Sequence, residues 1–305
     1  RETPQGPAGR GLLVYTYGLI TNGKEGFGMM LCYHDGQFTP LEKAYVPLSD
    51  YAIQRGIGVF ESIRTYDRRP FAPGPHLERL LRSAEQAGIE AREIISQIPA
   101  VFREGLGRPE LQGGEIIMKP YVTGGDVMVN KRFPNPRLYV LFEPLELPDP
   151  GLYQTGITLE PVNMERPFPL IKSINYMFGY IPVAGRGDVF ESLFCPDGEI
   201  TEASSSNFFL CVDGKLVTAP VGRVLPGITR GIVLHLAREA GFKVEERCPK
   251  VTELDRADEA FITGSIKEVL GVTRIRGRRI GNGRPGPVTQ HLHRLYRASI
   301  HKWLG

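Results

Sequence analysis

The 305-residue sequence is poor in the residues that mark a special environment. Its four cysteines, Cys32, Cys195, Cys211 and Cys248, form no C-x-x-C pair and no zinc-like spacing, which argues against a disulfide scaffold or a zinc module. They are expected to be buried, reduced thiols, as suits a cytosolic enzyme. Charge of one sign is not in excess: 37 Lys and Arg against 34 Asp and Glu leave +3, too little and too evenly spread for a nucleic-acid or anionic-membrane partner. No apolar run approaches the roughly 18 residues of a membrane span. Residues 1–10 are polar and Gly/Pro-rich, without the apolar core of a signal peptide, so a cytoplasmic chain is expected. What is abundant is Gly (36) and Pro (25) without a repeat period, which implies many turns joining short elements, an α+β or α/β enzyme rather than a helical bundle. The length exceeds what one core usually serves and predicts two domains.

The patterning predicts a strand at 12–17, a hairpin over 29–40 turning at His34-Asp35-Gly36, and a strand region at 59–66. Leu77, Leu80, Leu81, Ala84 and Ala87 recur at helical spacing over 76–88, and a second helix is expected at 93–105. Strands are predicted at 115–123 and 137–142, and the Pro-rich stretch 143–151 is the best linker. Beyond it come strands at 157–162, 189–195, 207–212, 215–218, 259–263 and 269–275. Helices are expected after Lys172, at 229–241 and at 287–304. The expected outline is a small α+β domain over 1–145, a linker at 146–152, and a second domain over 153–305.

Several motifs fail on inspection. Gly18 to Lys24 imitates a phosphate loop, but Glu25 stands where a Mg²⁺-binding hydroxyl is needed. Gly56-Ile57-Gly58 opens like a dinucleotide fingerprint and then places Glu61 at the third glycine. His291 and His293, two apart on a helix, fall on different faces and share no metal.

Four segments are chemically odd for their surroundings. Lys172 follows the apolar Pro169-Leu170-Ile171, where an ammonium is poorly solvated and the neutral amine required for Schiff-base chemistry is favoured. Glu202 precedes a hydroxyl-rich turn, Ser204-Ser205-Ser206-Asn207, that enters an apolar strand. Gly227-Ile228-Thr229 opens a helix, where free N–H groups, the helix dipole and a Thr hydroxyl favour an anion. Arg79, in His76-Leu77-Glu78-Arg79, can grip a phosphate with a forked geometry. Each alone has a plain structural reading, as a surface lysine, a turn carboxylate, a helix cap or a solvated helix charge.

In this order and spacing, together with Gly58-Val-Phe60-Glu61-Ser-Ile-Arg64 and Gly286-Pro-Val-Thr289, the segments closely resemble the class IV aminotransferases, the fold-type IV pyridoxal-phosphate enzymes. That family includes branched-chain aminotransferases, D-amino-acid aminotransferases and 4-amino-4-deoxychorismate lyase. The resemblance spans roughly nine-tenths of the chain. It implies a smaller N-terminal α+β domain, a C-terminal pseudo-barrel, a homodimer, and pyridoxal 5'-phosphate in the cleft between the domains. On matching positions, Lys172 would carry the Schiff base and shuttle the substrate proton, and Glu202 would hold the pyridine nitrogen. Arg79, Ile228 N–H, Thr229 and the Ser206-Asn207 turn would bind the phosphate, and Tyr176 would meet the ring oxygen.

The departures fall where substrate should bind. Arg55 replaces an aromatic residue, Lys119 stands where branched-chain enzymes carry Arg, and Gly124 where D-amino-acid enzymes carry a carboxylate-binding Arg. Ile266-Lys267 follows Ser265 where small residues are usual. Arg55, Arg64, Lys119 and Lys267 are therefore candidate carboxylate binders beside Phe60, Ser265 and Ile266. Half of these cations are equally expected to face solvent or to pair with Glu61 or Glu268. Gly124-Gly125 is expected to clear side chains from the pocket. The resemblance implies a transaminase acting on an amino acid and a 2-oxo acid, with branched-chain amino acids leading and a D-amino-acid transaminase or a lyase as alternatives. The D-amino-acid alternative leans on Lys172-Ser-x-Asn and the triple serine.

Overall fold

A computed structural model describes residues 30–305; the strand expected at 12–17 and the phosphate-loop imitation lie outside the described residues. In chain order the first half contributes β1 (Leu31–His34), β2 (Gln37–Pro40), α1 (Tyr51–Arg55), β3 (Gly58–Phe60), β4 (Ile63–Tyr66), β5 (Arg69–Pro70) and α2 (Pro73–Gln86). Then come α3 (Arg92–Ser96), α4 (Ile98–Leu106), β6 (Ile116–Thr123) and β7 (Arg137–Pro144). The second half holds α5 (Leu152–Thr155), β8 (Ile157–Val162), α6 (Met177–Tyr180), β9 (Glu191–Phe194), β10 (Asn207–Val212) and β11 (Lys215–Thr218). It closes with α7 (Ile228–Glu239), β12 (Lys243–Glu246), β13 (Glu259–Gly264), β14 (Glu268–Ile275), β15 (Arg278–Arg279) and α8 (Pro287–Ser299).

Among the described residues the strands form two sheets, an α+β arrangement. The first is ordered β2-β1-β7-β6-β4-β5, with β3 also on β6, and all its pairs are antiparallel. The second is ordered β12-β11-β10-β13-β14-β8-β9 with β15 on β14, and is mixed: β8 runs parallel to both β14 and β9, and β12 parallel to β11. Between β7 and α5 the chain has neither strand nor helix.

The first sheet buries Val59, Ile63, Met118, Val122 and Val140 against Leu80 and Ala84 of α2 and Ile98 and Phe102 of α4. Pro73 starts α2 three residues before the predicted start, because its fixed φ suits the first helical turn. The helix expected at 93–105 is two: α3 ends at Ser96 and α4 begins at Ile98, with Pro99 in its first turn. The strand region at 59–66 is also two, split at Glu61-Ser62. A third cluster joins the halves, packing Tyr66 and Phe71 against Phe209, Ile232, Leu292 and Tyr296. Here Ala72 N–H donates to Trp303 O at 2.7 Å.

The segment carrying Lys172 is held by the first sheet. Phe60 N–H donates to Lys172 O at 3.0 Å, Ile174 N–H to Gly58 O at 3.1 Å, and Ser173 bridges Val59 in antiparallel fashion. Only the four-residue α6 and a 3₁₀ turn follow it, a shorter helix than the sequence suggests. The four thiols are free, Cys248 half-buried and the others buried.

Candidate active site

Both sheets wall a cavity of about 710 Å³, well within the range of small-molecule sites. Lys172, Tyr176, Glu202, Arg79, Ile228 and Thr229 all line it. Lys172 Nζ donates to Tyr176 Oη at 3.2 Å and sits 4.4 Å from the centroid of the Phe60 ring. That ring stacks on Tyr121 and meets Tyr176 edge-on, which fixes the ammonium between aromatic faces. Burial alone would raise the Tyr176 phenol, but the cations of Lys172 and Arg166 beside it bring it below its ordinary value.

Glu202 is buried on the turn between β9 and β10. Its carboxylate accepts from Arg166 Nε at 2.6 Å, from Leu225 N–H at 3.2 Å and from Asn207 Nδ2 at 3.2 Å. Burial pushes its acid upward and the Arg166 guanidinium offsets this only in part. Arg166 is itself buried, bonded to Ser204 O at 2.8 Å and surrounded by the rings of Tyr176, Phe178 and Phe194. No periodicity singles out Arg166 in its Pro-flanked segment, so sequence reasoning misses it.

On the opposite side, Arg79 of α2 forms a two-pronged pair with Glu61 at 2.6 and 2.7 Å and donates to Pro226 O at 2.9 Å. His76 donates from Nδ1 to the same carboxylate at 2.8 Å; burial pulls its imidazole down, so a neutral ring does this work. These partners hold the Glu61 carboxyl far below the usual range, even though burial pushes the other way.

Pro226 leads into Gly227, the cap of α7, where no side chain satisfies the first turn. A Cβ on Gly227 would lie 2.0 Å from Asn207 Oδ1, so only glycine allows the β10 turn to back this helix end. The hydroxyls of Thr229 and Thr263 are buried at the cavity with no well-formed hydrogen bond among the described residues. A helix N-terminus, two buried hydroxyls beside it and a buried Arg fit a phosphate, while Glu202 fits a protonated ring nitrogen and Lys172 an aldehyde carbon. The residues present thus suit pyridoxal phosphate. Ser206 and Asn207 also line the cavity, but their side chains are engaged: Ser206 Oγ with Glu191 at 2.9 Å, Asn207 Nδ2 with Glu202 and with Leu225 O at 2.9 Å. They brace the site rather than offer donors to an anion.

The candidate carboxylate binders separate. Lys119 lies on the wall, paired with Glu143 at 2.5 Å. Lys267 lies there too, on the Ser265-Ile266-Lys267 turn, bonded to Glu191, Ser205 Oγ (2.6 Å) and Ser206 Oγ (3.0 Å). Arg55 does not reach the cavity: it ends the exposed α1 and donates to Gln54 O at 2.8 Å. Arg64 does not reach it either, because it is buried under Tyr66 and paired with Glu268 at 3.2 Å. Gly124 and Gly125, expected to clear the pocket, do not border it. They serve close packing, since a Cβ at 125 would fall 1.8 Å from Asn135 O. Glu191, a buried acid inside the apolar run 189–195, is the one missed site residue with a readable signal, its charge.

The family model for amino-transferase class IV matches residues 58–275. The D-alanine aminotransferase of Bacillus licheniformis is 30% identical over 273 residues, covering 87% of this chain and 95% of that protein. The crystal structure of the Escherichia coli branched-chain amino acid aminotransferase superposes with a TM-score of 0.80 at 25% identity, covering 90% of this chain and 98% of that one. The branched-chain aminotransferase of the thermophilic archaeon Thermoproteus uzoniensis, solved with norvaline, gives a TM-score of 0.76 at 25% identity, covering 91% and 99%. The expected fold class, that of the fold-type IV enzymes, is the one found.

Proposed function

This chain belongs to the class IV aminotransferases, and we propose that it is a pyridoxal-phosphate transaminase moving an amino group between a branched-chain amino acid and a 2-oxo acid. The observation that carries the reading is the convergence on one cavity of Lys172 Nζ, the Glu202 carboxylate and the open N-terminus of α7. Bound there, the cofactor supplies an electron sink for the substrate's Cα. Arg79, the first-turn N–H groups of α7 and the Thr229 hydroxyl hold its phosphate. Glu202, bonded to Arg166, would hold the proton on its ring nitrogen. Lys172 Nζ would take the proton from the substrate's Cα, and the Tyr176 hydroxyl, 3.2 Å away, would receive the lysine's N–H. Phe60, Ile117, Tyr121, Leu145, Leu152 and Phe190 give the cavity an apolar wall suited to an aliphatic side chain.

A D-amino-acid transaminase is the second reading, favoured by the Ser204-Ser205-Ser206 turn, Lys172-Ser-x-Asn and the D-alanine aminotransferase relative. The assembly proposed is the homodimer that the family resemblance implies, and exposed Leu48 and Ile53 at α1, with Val127, Met128 and Val129 on the adjoining loop, are surface it would cover. Sedimentation velocity should then give twice 33.9 kDa.

The deciding experiment adds single L- and D-amino acids, without acceptor, to the holoenzyme and follows the cofactor spectrum. Conversion to the pyridoxamine form by L-leucine, L-valine or L-isoleucine is expected. Conversion by D-alanine alone would move the enzyme to the second reading. Pyruvate release from aminodeoxychorismate without conversion would make it a lyase. Turnover surviving Lys172→Ala would sink the mechanism.

A further inference from the structure

Besides Lys172, each cation on the cavity wall already owns a carboxylate: Arg79 has Glu61, Arg166 has Glu202, Arg230 has Glu246, Lys119 has Glu143 and Lys267 has Glu191. A substrate carboxylate that seeks a cation must therefore compete for one. The arginines are each pinned a second time by a backbone carbonyl, of Pro226, Ser204 and Ala219 respectively. The two lysines differ in what their departure would leave behind. Glu143 is buried and, among the described residues, accepts from Lys119 alone, so releasing Lys119 would strand a buried charge. Glu191 is buried too, but it also accepts from Ser205 N–H at 2.8 Å, Ser206 Oγ at 2.9 Å and Ser204 Oγ at 3.4 Å. It keeps these hydrogen bonds when Lys267 turns away: Lys267 does most to hold its acid below the ordinary value against the pull of burial, and the Ser205 N–H and Ser206 hydroxyl add to it. Ser205 Oγ accepts from Lys267, which leaves its own proton for a second acceptor.

We propose that Lys267 is the specificity-determining cation that receives the substrate's carboxylate, exchanged from Glu191, with the Ser205 hydroxyl as second donor. The inference rests on the transaminase reading and sharpens it. The enzyme selects donors that carry a carboxylate over plain amines, and the triple serine exists to keep Glu191 satisfied while its lysine is lent.

The test is calorimetric titration of the holoenzyme with 4-methylvalerate, which is leucine without its amino group. Lys267→Met should weaken binding by about 10- to 100-fold, the scale of one lost charged hydrogen bond, and Lys267→Arg should recover most of it. Glu191→Gln should act in the opposite direction and tighten binding, because the acid no longer competes with a buried carboxylate. A purely structural pair would give loss in both variants. Loss in Glu191→Gln, or unchanged binding in Lys267→Met, overturns the proposal, and Glu191→Gln carries the test alone should Lys267→Met not fold. Failure of the underlying reading is separable. It would appear as a wild-type holoenzyme that no amino acid converts, whereas conversion by wild type with unchanged binding in Lys267→Met sinks only the role of Lys267.

Discussion

Glu202 shows how much of a site depends on a residue that motif reading does not name. Its carboxyl is buried, and what opposes the cost of charging it there is Arg166 at 2.6 Å, with the Leu225 N–H and Asn207 bonded to it as well. The native chain holds the Glu202 proton more readily than the unfolded chain does. That difference costs stability as pH rises from about 4.5 through the folded value, and Arg166 limits the cost. Replacing Arg166 with Met should therefore destabilise the fold by about 3–5 kcal/mol at pH 8, and by distinctly less at pH 5, where Glu202 can take up a proton. Urea unfolding at the two pH values measures this; an equal loss at both would mean that Arg166 acts by packing alone. Lys172, Glu202, Arg79 and Thr229 are legible in the sequence because their chemistry is tied to an ordered spacing. Arg166 is not, because its role comes from a fold that brings two distant turns together.

Among the elements, the start of α7 is the most exacting. Gly227 is needed there for lack of room, not for a left-handed backbone: its φ is −64°. Gly227→Ala should push Asn207 off Glu202 and Leu225, with a stability cost of about 1–3 kcal/mol. The same variant should lose cofactor faster on dialysis, followed by the holoenzyme absorbance. If it retains cofactor like wild type, the helix end does not hold the phosphate.

Strands β8, β10 and β11 are readable to the residue, because an apolar run between turn signals leaves few alternatives. Strand β12, with the sequence Lys-Val-Glu-Glu, gives no signal, since a half-exposed edge strand needs no apolar pattern. The strand expected at 59–66 breaks at Glu61 because that carboxylate turns inward to hold Arg79 and His76. A buried ion cluster looks like surface in a hydropathy pattern.

At the scale of the molecule, Glu268 ties the halves together. It is buried at φ 55° where the Lys267 turn enters β14. It accepts from Arg64 and Tyr66 of the first sheet, at 3.2 and 2.8 Å, and from Arg297 of α8 at 3.1 Å, and it pairs with His293 Nε2 at 2.7 Å. Burial pushes its acid up, but these partners outweigh that and hold it below the ordinary value. Such a group adds stability above the unfolded value, near 4.5, that is lost as pH falls through the lower folded value. Glu268→Gln should cost about 3–5 kcal/mol at pH 7, leaving Arg64 buried beside a neutral amide. The gap from wild type should narrow in acid, since only wild type has this contribution to lose. Parallel urea curves from pH 7 to pH 3 check it, and a constant gap would refute it.

The pairing of the Lys172 segment with β3 also bears on how the protein is made. Among the described residues, strand β3 has β6 on one side and, on the other, only the segment around Ser173. A chain emerging from the ribosome can complete the first sheet while that side of β3 still exposes unpaired backbone, and only synthesis past residue 174 covers it. Placing the lysine and sealing the sheet are then one event. A stalled or truncated chain that ends before Lys172 presents an open strand to other copies of itself, so its characteristic failure is self-association rather than mere inactivity.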